Sequence, residues 1–417
     1  MIINAYNYIP SDDFKNAIKE DVRTVRIELK IKFSDNTTKS FYDKDIVKES
    51  LYIDRRLVNG DDFEIGCLNS AELGVKILWN DNPYLFRGAT ITPYFGIWIN
   101  SKNDWEDVML GKFNVSEIER CKGYVDIKAL DDLAKMSYDV IPRNWYDKQL
   151  DGNNNFLYFR LKSKSLGDII IDCLDNYNIS YDDRNFNVNL INTLSATTVY
   201  TPNFSDRQSI PTYRDLLSSA LQLIGRSGII KRNGEFAFGT FSKEQTLTLT
   251  PFDRFSLTYS DHEVRDMTLC FDSEDASANF GKGNYPIHLD DNFLLKDLSS
   301  SSITTQLENA YNSIDGLSYV PCTIEYPGDP TIELGEMIKV EPIIPSVCQK
   351  VEYYGALSRY NRYIKLNGLK YGKRSDFLCP AFKTVVMHHN WVYRGKSTIQ
   401  SYGKNWLLRG IYKKKRG

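Results

Sequence analysis

Several short constellations in this chain carry residue types that could do chemistry. Asp151-Gly152-Asn153-Asn154-Asn155 places oxygen-bearing side chains where a calcium loop would. Phe156 stands at the sixth position, where such a loop turns on Gly, and no Glu closes it at the twelfth. An Asn-rich surface loop is the expected reading. Gly281-Lys282-Gly283 offers phosphate-loop residues without the GxxxxGK[ST] frame, behind the acids Asp272, Glu274 and Asp275, and reads as a flexible loop. His388 and His389 beside Trp391 could bind a metal or stack on a sugar. Neighbours in a strand point to opposite faces, so the expectation is one histidine in and one out. Asp131-Asp132 and Asp290-Asp291 could supply glycosidase acids. That work needs two carboxyls facing each other ~5–10 Å apart across a cleft, so adjacent pairs are expected to be solvated surface acids. No GxSxG, HExxH or Cys–His signature is present. The expectation is a non-enzymatic chain with no catalytic residue, metal site or cofactor.

The basic C-terminal end is the feature with a functional reading. Residues 359–417 hold 15 Lys+Arg and one acid, Asp376, a net of +14. The rest of the chain holds 37 bases against 53 acids, a net of −16. Tyr393, Arg394, Lys396, Tyr402, Lys404, Trp406 and Arg409 interleave aromatics with cations, and Lys413, Lys414, Lys415 and Arg416 follow. Nucleic-acid surfaces are built this way, and so are protein interfaces rich in Arg and aromatics. The third reading is a solvated basic end. Because the remainder is acidic, packing between copies of the chain is the simplest functional account. Arg394, Lys396, Lys404, Trp406, Arg409, Lys413, Lys414, Lys415 and Arg416 are therefore the candidate interface or channel residues.

The elements that would position them are mostly strands. Val22–Phe33 alternates charged and apolar residues with period two, Ser34–Thr38 is a turn, and Lys39–Tyr42 returns. Further strands are expected at 51–53, 71–78, 91–99, 108–119 and 124–129, with few helix signals before Leu130. An amphipathic helix is expected at Ile169–Leu174 behind Ser165. Thr212 is a plausible N-cap for a second helix with Leu216, Leu217, Ala220, Leu221 and Ile224 on one face and Gly225 near its end. Asn233-Gly234 closes a hairpin. Beyond it come a strand at 264–271, a polar loop at 272–284 and a helix over Ile303–Ser313 capped by Ser299–Ser302. Strands at 349–357, 363–371, 384–388, 390–393 and 397–402 complete the pattern. The divisions are 1–135, an N-terminal β-barrel; 136–258, an α+β middle domain; 259–375, a second β-barrel; and 376–417, a basic β-rich C-terminal segment.

Composition sets the class. At 417 residues the chain should form more than one domain, and 42% apolar with 25% charged residues suits a buried core. Its 27 Tyr favour strands and supply interface anchors. No run approaches the ~18 apolar residues of a membrane span. The start, MIINAYNYIPSDDF, lacks the basic and apolar regions of a secretory signal, so folding in a cytoplasm is expected. The seven cysteines have no CxxC spacing and an odd count, which argues against a zinc site or disulfide framework.

Leu317–Val340 carries two turns, Pro327-Gly328-Asp329-Pro330 and Glu333-Leu334-Gly335-Glu336, around alternating apolar residues. The pair reads as a β-barrel corner. The Gly-Asp-Pro turn followed by Leu-Gly-acidic and a strand also resembles the hub proteins of phage tails and related contractile injection particles. Asp43–Leu51, Phe63-Glu64-Ile65-Gly66 and Ser70-Ala71-Glu72-Leu73 are similar to that family's N-terminal barrel. Tyr213-Arg214-Asp215-Leu216-Leu217, Gly225 and Asn233-Gly234-Glu235-Phe236 resemble its middle domain. Tyr285–Leu289 and Asp291–Leu295 resemble the segment before its second barrel, and Gly316-Leu317-Ser318-Tyr319 continues the series. The motifs are short, and their collinear order over most of residues 20–375 carries the likeness.

The resemblance implies a mainly β fold with an α+β middle, in which two tube-type β-barrels flank α+β insertions. It implies a homotrimer whose six barrels form a ring. That ring would join a sixfold tail tube or distal ring to a threefold spike or fibre, surrounding a channel for the tape-measure protein and, in transit, DNA. A virion component at the tail tip or baseplate is expected, assembled in the host cytoplasm and used in host attachment. Many relatives continue into lytic or receptor-binding modules where this chain stops, so a separate spike, fibre or lysin protein is expected. Two alternatives stay open: a tail-associated enzyme that degrades cell wall or polysaccharide, and a hexameric distal tail protein.

Overall fold

Alternation of apolar and charged residues builds the N-terminal strands. The computed structural model describes residues 9–341 and 381–403, apart from 21, 61, 137–138, 143–144, 151, 155, 162–163, 182–194, 197–210, 243, 251–252, 259–264, 274–275, 296–297 and 315–316. In β1 (Val25–Lys32), Ile27, Leu29 and Ile31 are buried while the residues between them are not. The period-two pattern of a half-buried strand is thereby realised. β2 (Thr38–Tyr42) returns from the turn at Asn36, which takes a left-handed φ of 67°. Then follow β3 (Tyr52–Arg56), β4 (Glu72–Leu78), β5 (Thr90–Ile99), β6 (Asp104–Met109), β7 (Phe113–Cys121) and β8 (Tyr124–Leu130). The single strand expected over 108–119 is two, β6 and β7. Gly111 lies between them, with the Phe113 ring 2.6 Å from where a Cβ would sit, so the chain turns tightly there. A short helix, Asp12–Ala17, also precedes residue 130 and buries Phe14 and Ala17.

The middle of the chain holds longer helices. Leu166–Asn176 starts at Ser165, whose hydroxyl accepts the Asp168 N–H at 3.0 Å. Tyr213–Leu223 begins on a capping box: Thr212 Oγ1 accepts from the Asp215 amide at 3.1 Å, and Asp215 Oδ2 accepts from the Thr212 amide at 2.9 Å. Gly225 follows with a φ of 64°, the left-handed stop that glycine supplies. Helix Ser300–Ile314 starts three residues before the expected Ile303. Ser227–Ile230 and Phe236–Gly239 form the expected hairpin through Asn233-Gly234. A strand, Ser277–Phe280, lies inside the stretch expected to be a polar loop. It pairs with Arg265–Asp272, which also takes Tyr285–His288 in parallel.

The fold is mainly β. Among the described residues the largest sheet has 12 strands, in the order Ser256–Thr258, Thr323–Tyr326, Ser397–Gln400, His388–Val392, β3, β4, β8, β7, β5, β1, β2, with β6 pairing on β5. The C-terminal hairpin, His388–Val392 and Ser397–Gln400, thus bridges the N-terminal strands and Thr323–Tyr326. The sheet also bends back on itself, because Ile46, just after β2, makes an antiparallel bridge with Ile77 of β4.

Two hydrophobic cores form among the described residues. One fills the N-terminal strands and includes Trp391 and Tyr393. The other gathers the helices from Leu166 onward, the loop after β3 and the later strands, and includes Val385, Met387 and Ile399. The hairpin region therefore feeds both. The stretch read as a barrel corner links two sheets. Thr323–Tyr326 pairs antiparallel with Ser397–Gln400 in the large sheet. Met337–Val340 pairs in parallel with Gln245–Leu249 and antiparallel with Phe382–Val385 in another. The strands expected at 349–357 and 363–371 lie outside the described residues.

Candidate functional site

The basic segment meets the rest of the protein at the C-terminal hairpin. Of the nine candidate residues, Arg394 and Lys396 are described, in its turn. Lys404, Trp406, Arg409, Lys413, Lys414, Lys415 and Arg416 lie outside the described residues. Arg394 holds the left-handed φ of 54° that the tight reversal needs. Its guanidinium lies 3.1 Å from Asp43 Oδ1, donates to the Val25 carbonyl at 3.1 Å and stands over the Tyr393 ring at 5.1 Å. The Tyr393 hydroxyl donates to the same Asp43 oxygen, and burial followed by that carboxylate raises its pKa. Lys396 reaches Glu325 at 3.9 Å and lies over the exposed Phe255 ring at 5.8 Å. Part of the charge asymmetry along the sequence is therefore satisfied within the chain.

The expectation of one histidine in and one out is corrected: His388 and His389 are both buried. They do point to opposite faces, but each face is covered. His388 Nε2 lies 3.0 and 3.1 Å from the Asp54 carboxylate oxygens of β3. Its Nδ1 lies 2.6 Å from Gln400 Oε1 and 2.7 Å from the Tyr402 hydroxyl. Burial pushes the Asp54 carboxyl up, but hydrogen bonds from His388 and Arg56 outweigh it and hold the group at about 2. His389 Nε2 lies 2.7 Å from the Tyr326 hydroxyl. Burial, then the Arg55 and Arg232 guanidiniums, drive His389 down to about 3. Glu333 joins those two cations, 3.5 Å from Arg55 Nη1 and 2.7 Å from Arg232 Nη2. Neither histidine can share a metal with the other, and among the described residues no three His, Cys, Asp or Glu are grouped to hold one.

On the other side of the hairpin a cleft of about 390 Å³ opens between the start of β1, Phe95, the Pro327-Gly328 turn and Trp391–Arg394. Trp391 and Tyr393 meet the Phe95 ring nearly edge-on, at centroid distances of 5.7 and 6.3 Å. Arg23 lines the same cleft. It donates to the carbonyls of Ile18 at 2.6 Å, Pro327 at 3.3 Å and Gly328 at 3.1 Å, tying the first residues to the turn.

The two carboxylate pairs are held in structural hydrogen bonds through Asp131 and Asp290. Asp131 departs from the expectation of a solvated acid. It is buried, its oxygens accept the amides of Ala71 at 2.8 Å and Leu133 at 3.0 Å, and burial pushes it up to about 7 against those bonds. Asp290 accepts the Asp272 amide at 2.9 Å and lies 3.3 Å from His288 Nδ1. The Gly281-Lys282-Gly283 segment leads into the strand Tyr285–His288, and no helix follows it. Asp151 and Asn155 of the Asn-rich loop lie outside the described residues. Cys67, Cys121, Cys173, Cys270 and Cys322 are free thiols. Among the described residues no helix is long and apolar enough to cross a membrane.

The residues that sequence reasoning missed are Asp43, Asp54, Arg55, Arg232 and Tyr326. Each is an ordinary charged or aromatic residue in a strand, turn or loop, and its partner lies far along the chain. No local spacing signals such pairs.

No family model matches the sequence, and no curated protein matches it. Among solved structures, the chain is similar to the 43 kDa tail protein of prophage MuSo2 from Shewanella oneidensis, with 10% identity, 90% of this chain and 96% of that one covered, and a TM-score of 0.46. It is similar to the tail protein from Neisseria meningitidis MC58, with 8% identity, 90% and 95% covered, and a TM-score of 0.46. It is also similar to the prophage tail protein gp18 from Listeria monocytogenes EGD-e, with 10% identity, 94% and 100% covered, and a TM-score of 0.43. Likenesses at this identity and this degree of superposition do not by themselves assign a function.

Proposed function

We propose that this chain is a structural component of a phage tail or phage-like particle, and within it the tail hub. The observation that carries the reading is the continuous sheet in which the C-terminal hairpin joins the N-terminal strands to Thr323–Tyr326. Two β regions that share hydrogen-bonded strands form one stiff body, as a subunit of a mechanically stressed ring needs. The Ile46–Ile77 bridge, which turns the N-terminal sheet back on itself, supports a barrel over residues 1–135. In this reading residues 136–258 are the mixed middle domain, 259–375 the second barrel and 376–417 the basic segment that fastens them.

Among the described residues the sheet ends at β2 and at Ser256–Thr258, and β6 is a further edge on β5. Sheet edges invite pairing with a neighbouring copy. A homotrimer built through such edges would present six β modules and adapt a sixfold tail tube or distal ring to a threefold spike or fibre. Its lumen would pass the tape-measure protein and DNA. A separate spike, fibre or lysin would complete the tail tip, and the nine basic and aromatic residues Arg394, Lys396, Lys404, Trp406, Arg409, Lys413, Lys414, Lys415 and Arg416 would serve contacts at the interface or channel. The chain itself would be no enzyme.

Native mass spectrometry of the purified chain, alone and mixed with its tail-tube or distal partner, tests this. Three copies per assembly is the expected result. Six would replace the hub with a distal tail ring, and a chain that stays monomeric in both samples would remove the adaptor role. Wall-lysis turnover abolished by one carboxylate substitution would replace the structural reading with an enzymatic one.

A further inference from the structure

The hairpin strand His388–Val392 is held on one side by β3 and on the other by Ser397–Gln400, which pairs with Thr323–Tyr326. At the centre of this junction His389 is 2% exposed. The Ile332 backbone stands beside one ring nitrogen and favours a proton there, a weaker influence than burial. The other, Nε2, faces the Tyr326 hydroxyl, which also accepts the Asp329 amide at 3.1 Å. That hydroxyl is also placed to donate to the Asp329 carbonyl at 3.2 Å, so its one proton is divided between that carbonyl and the Nε2 lone pair.

The charges around the ring come from every element packed on it. β3 supplies Arg55, and the turn before Phe236–Gly239 supplies Arg232. The loop before Met337 supplies Glu333, which is ion-paired to both arginines. Glu336 and Asp329 act on Tyr326 from the same loop, and Glu336 accepts from Thr246 Oγ1 at 3.0 Å. His388 is the neighbour in the strand, turned toward Asp54. A proton on His389 would thus add a third buried cation beside two guanidiniums that are both paired to Glu333. Buried like charges without compensation are among the costliest arrangements in a protein interior.

We propose that the junction is a proton-sensitive latch: protonation of His389 releases the C-terminal hairpin from between β3 and Thr323–Tyr326 while β1, β2 and β4–β8 stay paired. Release withdraws Trp391 and Tyr393 from the N-terminal core and breaks the large sheet between β3 and Thr323–Tyr326, while the loop between β3 and β4 stays packed in the second core through Phe63, Ile65 and Leu68. The device is independent of the hub reading, because it concerns only how this chain holds its own end.

The chemistry fixes the expected size. With an ordinary value of 6.5 in the open hairpin and about 3 in the closed one, the open population rises roughly thirtyfold between a fully neutral histidine and pH 5. The test is hydrogen exchange by mass spectrometry on the full chain from pH 7 to pH 4.5, corrected for the pH dependence of chemical exchange. Peptides spanning 386–401 should lose at least tenfold in protection by pH 5, with β1 and β5 unchanged. His389→Gln, which cannot take the proton and keeps an acceptor for Tyr326, should abolish that step. An identical acid step in His389→Gln, or simultaneous loss of protection in all strands, overturns the latch. If the variant does not fold, the NMR titration of the wild-type His389 ring decides. A ring that protonates only as the hairpin opens supports the proposal, and one that protonates with the hairpin closed overturns it.

Discussion

His388 and Asp54 lie 334 positions apart in sequence, yet Nε2 of the one stands 3.0 Å from Oδ1 of the other. The contact fastens the C-terminal hairpin to the face of β3 opposite Arg55 and His389. Arg56 reinforces it, with Nε 3.0 Å from the same carboxylate oxygen.

The pH dependence of that contact has a defined sign. Asp54 is held at about 2 against an ordinary 3.8, so the folded state binds its proton less readily than the unfolded chain does. The stability it contributes is present above pH 3.8 and is lost as pH falls through 2. One pKa unit is about 1.4 kcal/mol, which sets a contribution on the order of 2 kcal/mol, reduced by partial exposure. Asp54→Asn should flatten the fall in urea-unfolding stability between pH 4 and 2. An undiminished slope in the variant would show that the contact does not set it.

Gly328 holds the turn against the hairpin. Its φ is 92°, and a Cβ there would lie 2.5 Å from Ser397 Oγ and 3.2 Å from the Trp391 ring. Gly328→Ala should destabilise by about 1–3 kcal/mol, combining left-handed strain with the clash. The midpoint of chemical denaturation measures this directly, and a midpoint equal to that of the wild type would contradict it.

Arg394 and Asp43 form a half-exposed pair, with side chains 51% and 32% accessible at a separation of 3.1 Å. A double-mutant cycle through Arg394→Ala and Asp43→Ala should give a coupling of about 0.5–1 kcal/mol, shrinking in high salt. A coupling of zero at low salt would leave Arg394 free to serve a partner instead.

Much of the local architecture was legible in the residues themselves. Alternation in Val25–Lys32 fixes a strand because side chains there can only face two ways. Thr212 and Asp215 announce a helix start because each satisfies the other's orphan amide, and Gly225 stops that helix because it accepts a left-handed φ without penalty. The beginning of Ser300–Ile314 was less legible, since four consecutive serines all offer caps.

Sequence by itself determined where chain segments become strands, helices and turns, and that the basic end opposes an acidic remainder. The resemblance to tail hubs likewise rests on the order of local motifs. Tertiary structure alone decided that the hairpin inserts between β3 and Thr323–Tyr326, that Arg394 meets Asp43, and that both histidines are buried. The reason is physical. Local structure follows from neighbours a few residues apart, whereas burial and charge environment depend on residues brought together from hundreds of positions away. A histidine's spacing shows which way it points, but only the packed sheet shows what it faces.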